Sequence, residues 1–475
     1  MTTMRDKTEQ ALIELGGCLS DDQILRDPEV LERHSRDESE AEAHLPDAVI
    51  RARSTQDIAA VMRSASKYRV PVTPRGAGTG RSGGAIPVSG GIVLCVDCMQ
   101  EVKDINRADM IAVVDPGVIT GTLHRRVEEE GLFYPPDPNS LDSCTLAGNI
   151  AENAGGPRAF KYGSTRQYIL GLEVVTAEGS ILRLGRRTIK GVTGYDLTAL
   201  IVGSEGTLAV VSEANLRLLP LPEKTYTLAV LFADCTAAVR AVLALPDFGI
   251  VPRCMELLDE VTLDLLRPQA GIRVPSAAHA MIIMELDGSE LQVERDLETC
   301  GNALDAGSAL DVLVAKDETE RARLWNARRE MSYALRRSAQ FKLAEDVVVP
   351  RSQLTVLLER CRALSAKYDI KMASYGHAAD ANLHTNFLWE DPKDHEKVHQ
   401  ASRELFEIVV GLKGTLSGEH GIGMTKAPYL GLEQSQEVIS LQKRIKETFD
   451  PQGILNPGKI FPDEQQRTHK HHGAC

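Results

Sequence analysis

The sequence predicts an α+β protein of two domains, and three observations carry that expectation. Strand and helix signals alternate from residue 47 onward, and a Leu219-Pro220-Leu221-Pro222 linker ends that run. Beyond the linker, strands at 225–232, 280–286 and 310–314 interleave with helices in the pattern of an antiparallel sheet. The length of 475 residues sets a prior of about three domains, which large folds of this kind often reduce to two.

In chain order, residues 1–40 read as polar and helical. A strand at 46–50 leads to Ser54-Thr55-Gln56-Asp57, which offers caps for a helix with Ile58, Val61 and Met62 on one face. The next strand, 69–73, runs into Arg75-Gly76-Ala77-Gly78-Thr79-Gly80, then Gly83-Gly84. Glycines so close together let backbone N–H groups converge on an anion such as a phosphate or pyrophosphate. The turn does not open a helix as a dinucleotide fingerprint would, because Ser82-Gly83-Gly84-Ala85-Ile86-Pro87 holds two glycines and a proline. No Lys-Ser or Lys-Thr pair closes a P-loop, and a ligand-free surface loop is the other reading. Strands at 92–96 and 111–115, a helix around 120–130 stopped by Gly131, and a rigid loop at 135–140 come next. A small-residue helix over 145–156, strands at 171–176 and 180–184, a turn at 194–196 and the 203–208 turn before another strand complete the region. In the second region helices are expected at 236–245, 290–305 and 317–338. The turn-rich stretch 449–459 is expected to fold back on the first domain. The tail 463–475, with His469, His471 and His472, is expected to be disordered.

Bulk properties exclude several classes. A net charge of −13 argues against nucleic-acid binding. No apolar stretch reaches the ~18 residues that crossing a bilayer takes, and the first residues carry charges and no apolar core of a secretory signal. Nine scattered cysteines, an odd number, fit reduced thiols and a cytoplasmic location. Cys95 and Cys98 form a CxxC with no second pair at zinc spacing, so they read as buried small residues.

Two clusters carry chemistry. Gly376-His377-Ala378-Ala379-Asp380-Ala381-Asn382-Leu383-His384 and Ser417-Gly418-Glu419-His420-Gly421-Ile422-Gly423 together hold three histidines and a glutamate. His377, His384 and Glu419 match a catalytic divalent site with an open position. Residues seven apart on a straight strand face opposite ways, so 378–382 must turn, and Asp380 and Asn382 suit a turn. Packed or surface histidines are the plainer alternative. On the helix 317–338, Leu324, Met331 and Leu335 mark a buried stripe that also holds Arg328, with Ser332 one turn on. A buried guanidinium costs several kcal/mol unless an anion meets it. That anion is either a protein carboxylate or a substrate carboxylate gripped bidentately.

The ordered motifs PRGAGTGRSGG, PPDPNS, TLAGNIAENAGG, KYG, GYDL, GSEGTLAVV, HAADANLH, SGEHGIG and FDPQGILNPGK run from Pro74 to Lys459, within a likeness that covers roughly residues 40–462. This order resembles the FAD-dependent D-2-hydroxyacid dehydrogenases of the vanillyl-alcohol oxidase/p-cresol methylhydroxylase (PCMH) superfamily. The resemblance implies a PCMH-type FAD-binding domain over 1–222 and an α+β substrate (cap) domain with an antiparallel sheet over 223–440. A segment at 441–475 would return to the first domain. It implies that Arg75, Gly76, Ala77, Gly78, Thr79, Gly80 and Ser82 hold the FAD pyrophosphate. Pro136, Asp137, Thr145, Gly148, Asn149, Asn153, Gly203, Gly206 and Thr207 would line the flavin, with Asn456 at the isoalloxazine end. Thr79 stands where covalent relatives place a histidine, so FAD is expected to be non-covalent. Ala379 and Ala381 stand where relatives commonly have glycine. The implied reaction is oxidation of a small D-2-hydroxy acid, D-lactate or glycolate, to the 2-oxo acid. In it Arg328, Ser332 and Lys342 bind the carboxylate, a Zn, Mn or Fe ion sits on His377, His384 and Glu419, and His420 is the base. D-2-hydroxyglutarate as substrate, with Lys342, Arg336 or Arg337 meeting its second carboxylate, is the rival within this chemistry. A non-catalytic flavin relay subunit is the rival outside it. No iron–sulfur pattern is present, so the expected partner is a separate iron–sulfur or quinone-linked acceptor, which would place the protein peripherally at a membrane. A homodimer is the expected self-assembly.

Overall fold

A computed structural model describes residues 3–267, 274–306 and 308–461. His469, His471 and His472 lie outside the described residues. The chain divides into two units: Met1–Ala154 with Ser164–Leu221 and Glu419–Cys475, and Gly155–Gly163 with Pro222–Gly418.

In the first unit a four-stranded sheet runs in the order Ile24–Leu25, Ala48–Arg51, Ile92–Cys95, Val72–Arg75. The last three strands are parallel, joined by a helix over Thr55–Tyr68. Ser54 caps that helix by accepting from Asp57 N–H, and Ile58, Val61 and Met62 are buried on its inner face, as the spacing predicts. They pack with Ile50, Val72 and Leu94 into one core. An antiparallel sheet of five strands follows in the order Val102–Asn106, Ile111–Val114, Val210–Arg217, Ile169–Val175, Ile181–Gly185. Cys95 is buried, Cys98 is half-buried and both are free thiols; burial pushes the Cys95 thiol up to about 12.

The second unit is built on a seven-stranded antiparallel sheet. Its order is Asp311–Val314, Lys224–Phe232, Ala280–Gly288, Cys254–Leu258, Lys371–His377, Asn382–Trp389, Phe341–Val348. One face packs Ala229, Ile283 and Tyr375 against Leu324, Met331 and Leu335 from the helices above it.

Four expectations are corrected. The return to the first unit begins at Glu419 rather than 441, because Met424 and Thr425 N–H donate to Ser82 O, at 2.9 and 3.2 Å. Residues 155–163 join the second unit, where Lys161 Nζ reaches Asp287 O at 2.7 Å and Tyr162 OH reaches Asp287 Oδ2 at 2.9 Å. The helix expected over 145–156 spans only Leu146–Glu152, since Asn153 turns left-handed at φ +52°. The helix expected over 317–338 is two, Glu318–Arg329 and Met331–Arg337, with Glu330 between them at ψ −7°. This break sets Arg328 in a last helical turn, where carbonyl dipoles favour a cation.

Candidate active site

In the first unit the glycine turn after Val72–Arg75 is a cradle that side chains would fill. A Cβ on Gly78, which sits at φ +74°, would lie 2.0 Å from the Arg75 guanidinium, and one on Gly76 would lie 2.2 Å from Thr145 Oγ1. Arg75 is itself buried, and its guanidinium donates to Arg36 O at 2.9 Å, so it braces the turn from behind. Among the described residues, no protein acceptor takes the N–H groups of Ala77 to Ser82. Ser82 Oγ, Ser204 Oγ and Asn456 Oδ1 are buried with no hydrogen-bond partner in the protein. Such a set of unfilled donors and buried polar atoms fits the pyrophosphate and ring edge of a dinucleotide.

The remaining residues expected to line the flavin shape these loops. Thr145 caps the Leu146–Glu152 helix over Gly148 N–H, and Asn149 Nδ2 donates to Thr120 Oγ1 at 2.6 Å. Pro136 O meets His124 Nε2 at 2.9 Å, and Thr207 Oγ1 donates to Ser204 O at 2.7 Å. Asn153 Oδ1 accepts from Arg166 N–H at 2.9 Å, while Gly203 and Gly206 take φ of +81° and +65°. Asn456 Nδ2 bridges Gly84 O at 3.0 Å and Glu205 O at 2.7 Å, which ties the returning segment to both loops.

In the second unit the hairpin Lys371–His377 and Asn382–Trp389 brings the two histidines together. His384 pairs with Tyr375 and Asn382 with His377, so both imidazoles fall on one face, as the predicted turn requires. Their ring centroids are 5.4 Å apart, with ligand atoms within 4.8 Å. Behind each ring stands a carboxylate that sequence reasoning missed. His377 Nδ1 bonds Glu256 Oε1, and His384 Nδ1 lies 4.0 Å from Asp346 Oδ1. At His377 the Glu256 carboxylate holds the ring in the tautomer whose Nε2 lone pair faces outward, the arrangement of metal-ligating histidines, whereas Asp346 stands beyond hydrogen-bond distance of His384 Nδ1.

Glu256 also answers the question raised by Arg328. The guanidinium is buried, its Nε donates to Glu256 Oε2 at 2.5 Å and its Nη2 pairs with the same oxygen. The anion facing Arg328 is therefore a protein carboxylate, the first of the two alternatives. Burial pushes the Glu256 carboxyl up, but the Arg328 guanidinium and the His377 ring outweigh it and hold the group below its usual value. On the same sheet face Lys342 Nζ donates to Ser332 Oγ at 3.0 Å, which joins two of the expected substrate residues. Asp346 accepts from Asn382 Nδ2 at 2.5 Å and from Gly418 N–H at 2.9 Å. The next residues, Glu419 and His420, are half-buried and open the returning part of the first unit.

Of the three alanines in the 378–381 turn, only Ala381 is left-handed, at φ +61°. Relief of that strain by glycine gains about 1–2 kcal/mol. Against it stand about 0.5–1 kcal/mol of extra chain entropy and about 0.8 kcal/mol for the lost buried methyl. Ala381→Gly is therefore expected to leave unfolding free energy within about 1 kcal/mol of the parent, measured by urea titration.

A glycine turn whose N–H groups meet no protein acceptor among the described residues and a sheet that presents paired histidines fit a two-unit flavin-dependent oxidoreductase. Residues 46–185 match the FAD binding domain and residues 221–460 match the C-terminal domain of FAD linked oxidases. The chain belongs to the FAD-linked oxidase family. It is 43% identical over 425 residues to the glycolate oxidase subunit GlcD of Bacillus subtilis, covering 89% of this chain and 90% of that one. It is 32% identical to D-2-hydroxyglutarate dehydrogenase of Stutzerimonas stutzeri, covering 96% and 99%. To D-lactate dehydrogenase of Anaerostipes hadrus it is 33% identical, covering 87% and 89%. The structure of p-cresol methylhydroxylase with substrate bound shares the fold, with a TM-score of 0.79 over 97% of this chain and 98% of that one at 16% identity. The first unit thus has the PCMH-type FAD-binding fold. No helix among the described residues is long and apolar enough to cross a membrane.

Proposed function

We propose that this FAD-linked enzyme oxidises a small D-2-hydroxy acid, D-lactate or glycolate, to the 2-oxo acid. The observation that carries the reading is the His377–His384 pair, with the His377 ring bonded by Glu256 and Asp346 4.0 Å from His384 Nδ1. Residues 76–82 with Asn456 would hold FAD non-covalently. FAD, when bound, supplies the acceptor for the hydride leaving C2. His377, His384 and Glu419 would hold a divalent cation (Zn, Mn or Fe), whose Lewis acidity would lower the pKa of the 2-hydroxyl. His420, with its near-neutral ordinary pKa, accepts the hydroxyl proton.

The carboxylate is held by Lys342 and Ser332 with Arg328 beside them. Glu256 cancels much of the Arg328 charge, which leaves Lys342 and Ser332, hydrogen-bonded to each other, as the principal contacts for the substrate carboxylate. Arg336 and Arg337 are exposed, which favours a monocarboxylate over D-2-hydroxyglutarate, whose second carboxylate needs a further buried cation. Electrons leave through a separate iron–sulfur or quinone-linked partner in the cytoplasm.

The test is anaerobic bleaching of the flavin by D- and L-2-hydroxy acids, D-2-hydroxyglutarate included, before and after chelation. Bleaching by D-lactate or glycolate that a chelator abolishes and added Zn²⁺ or Mn²⁺ restores is expected. Bleaching indifferent to chelation removes the metal, and none by any 2-hydroxy acid removes the substrate class.

A further inference from the structure

We propose that Glu205 is a positioning residue that fixes the loop carrying Glu419 and His420, an inference that rests on the roles given to those two side chains above. Glu205 lies in the GSEGTL turn and is buried. Its carboxylate accepts from the N–H groups of Ile422 at 2.7 Å and Gly423 at 2.6 Å. Two successive amides that converge on one carboxylate form a small anion nest, and the left-handed glycines at 421 and 423 give the loop that shape.

The loop is moulded tightly to what lies under it. A Cβ on Gly421 would sit 2.1 Å from Glu152 Oε2 and 3.0 Å from Glu205 Oε1, and one on Gly423 would sit 2.1 Å from Ser82 O. Ile460 N–H donates to Gly423 O at 2.8 Å, so the loop is also tied from the C-terminal side. Glu205 itself is held against its preference. It sits at φ +53°, a conformation that strains a residue with a side chain. Its N–H donates to Ala151 O at 2.8 Å and its C=O accepts from Asn456 Nδ2 at 2.7 Å, and these two bonds keep it there. Strain is thus retained at a residue whose carboxylate accepts from two amides of the 419–423 loop, which ties the function of that carboxylate to the shape of the loop. Through this contact the turn that lines the flavin also sets where the third metal ligand and the base point.

Glutamine at 205 keeps the shape but turns one amide-accepting oxygen into an N–H₂ that faces a donor. In flavin-loaded Glu205→Gln the dissociation constant for Mn²⁺, measured by dialysis without substrate, is expected to rise 10- to 100-fold. Turnover should fall with KM changing less than kcat, while flavin content stays at the parental level. Gly421→Ala, which pushes the same loop off the two glutamates, should reproduce the pattern. Parental Mn²⁺ affinity in both variants overturns the proposal, and so does loss of flavin in step with Mn²⁺ affinity, which marks a general structural role. Glu419→Ala and His420→Gln separate the two readings. If Glu419→Ala leaves Mn²⁺ affinity intact and His420→Gln leaves turnover intact, the roles proposed above fail; if the first abolishes Mn²⁺ affinity and the second abolishes turnover while Glu205→Gln does neither, only the present inference fails.

Discussion

A Glu256→Ala protein is expected to lose about 3–5 kcal/mol of stability, because the change leaves a buried guanidinium with no counter-charge. Arg328 and Glu256 are both buried and the pair spans 72 residues of sequence, so no local rearrangement supplies another anion. Glu256→Gln should behave differently. Its carbonyl can still serve Arg328, but its N–H₂ then faces His377 Nδ1, which must become an acceptor. The proton moves to Nε2, and the imidazole can no longer offer that nitrogen to a cation. The glutamine protein is thus expected to lose about 1.5–3 kcal/mol of stability, the worth of a hydrogen bond to a charged group. Its metal affinity should fall roughly 10- to 100-fold. Urea melts and metal content after dialysis distinguish the two losses. The pH dependence has a definite sign. Glu256 is held below its usual value, so its contribution is present above the unfolded carboxyl's pKa of about 4.3 and is lost as pH falls through the lower native value. The stability gap between parent and Glu256→Ala should therefore be full at neutral pH and close in acid.

The sequence showed the histidine pair and hid the carboxylates behind it, for a physical reason. His377 and His384 are joined by a short hairpin, so strand period and turn residues suffice to bring them to one face. Glu256 is a single charge inside Cys254-Met255-Glu256-Leu257-Leu258, a strand buried on both faces that shows no alternation. Its one signal was chemical: an ionisable group in an apolar run must have partners, and these lie 72 and 121 residues away. Distance also concealed the boundary at Glu419, since the bond that returns the loop to the first unit joins Glu205 to Ile422, 217 residues apart. The capped helix of the first unit was legible because Ser54, Ile58, Val61 and Met62 are local signals, whereas the parallel direction of the strands beside it was not. The break at Glu330 carried none, since neither glycine nor proline marks it.

His384→Ala and His420→Gln are expected to lower turnover by about 10²–10⁴-fold each, through different losses. His384 is buried on the second unit's sheet beside Asp346, and alanine there removes a metal ligand. That protein should hold FAD at the parental level, because the cradle at 76–82 and Asn456 belong to another unit, but should retain little metal after dialysis. His420 is assigned the proton and not the metal, so glutamine there should leave metal and FAD content near parental while flavin bleaching by D-lactate or glycolate slows. Parental bleaching rates in both variants would remove the metal ligand and the base from the reaction, whereas a flavin subunit that only relays electrons would show no bleaching by any 2-hydroxy acid even in the parent.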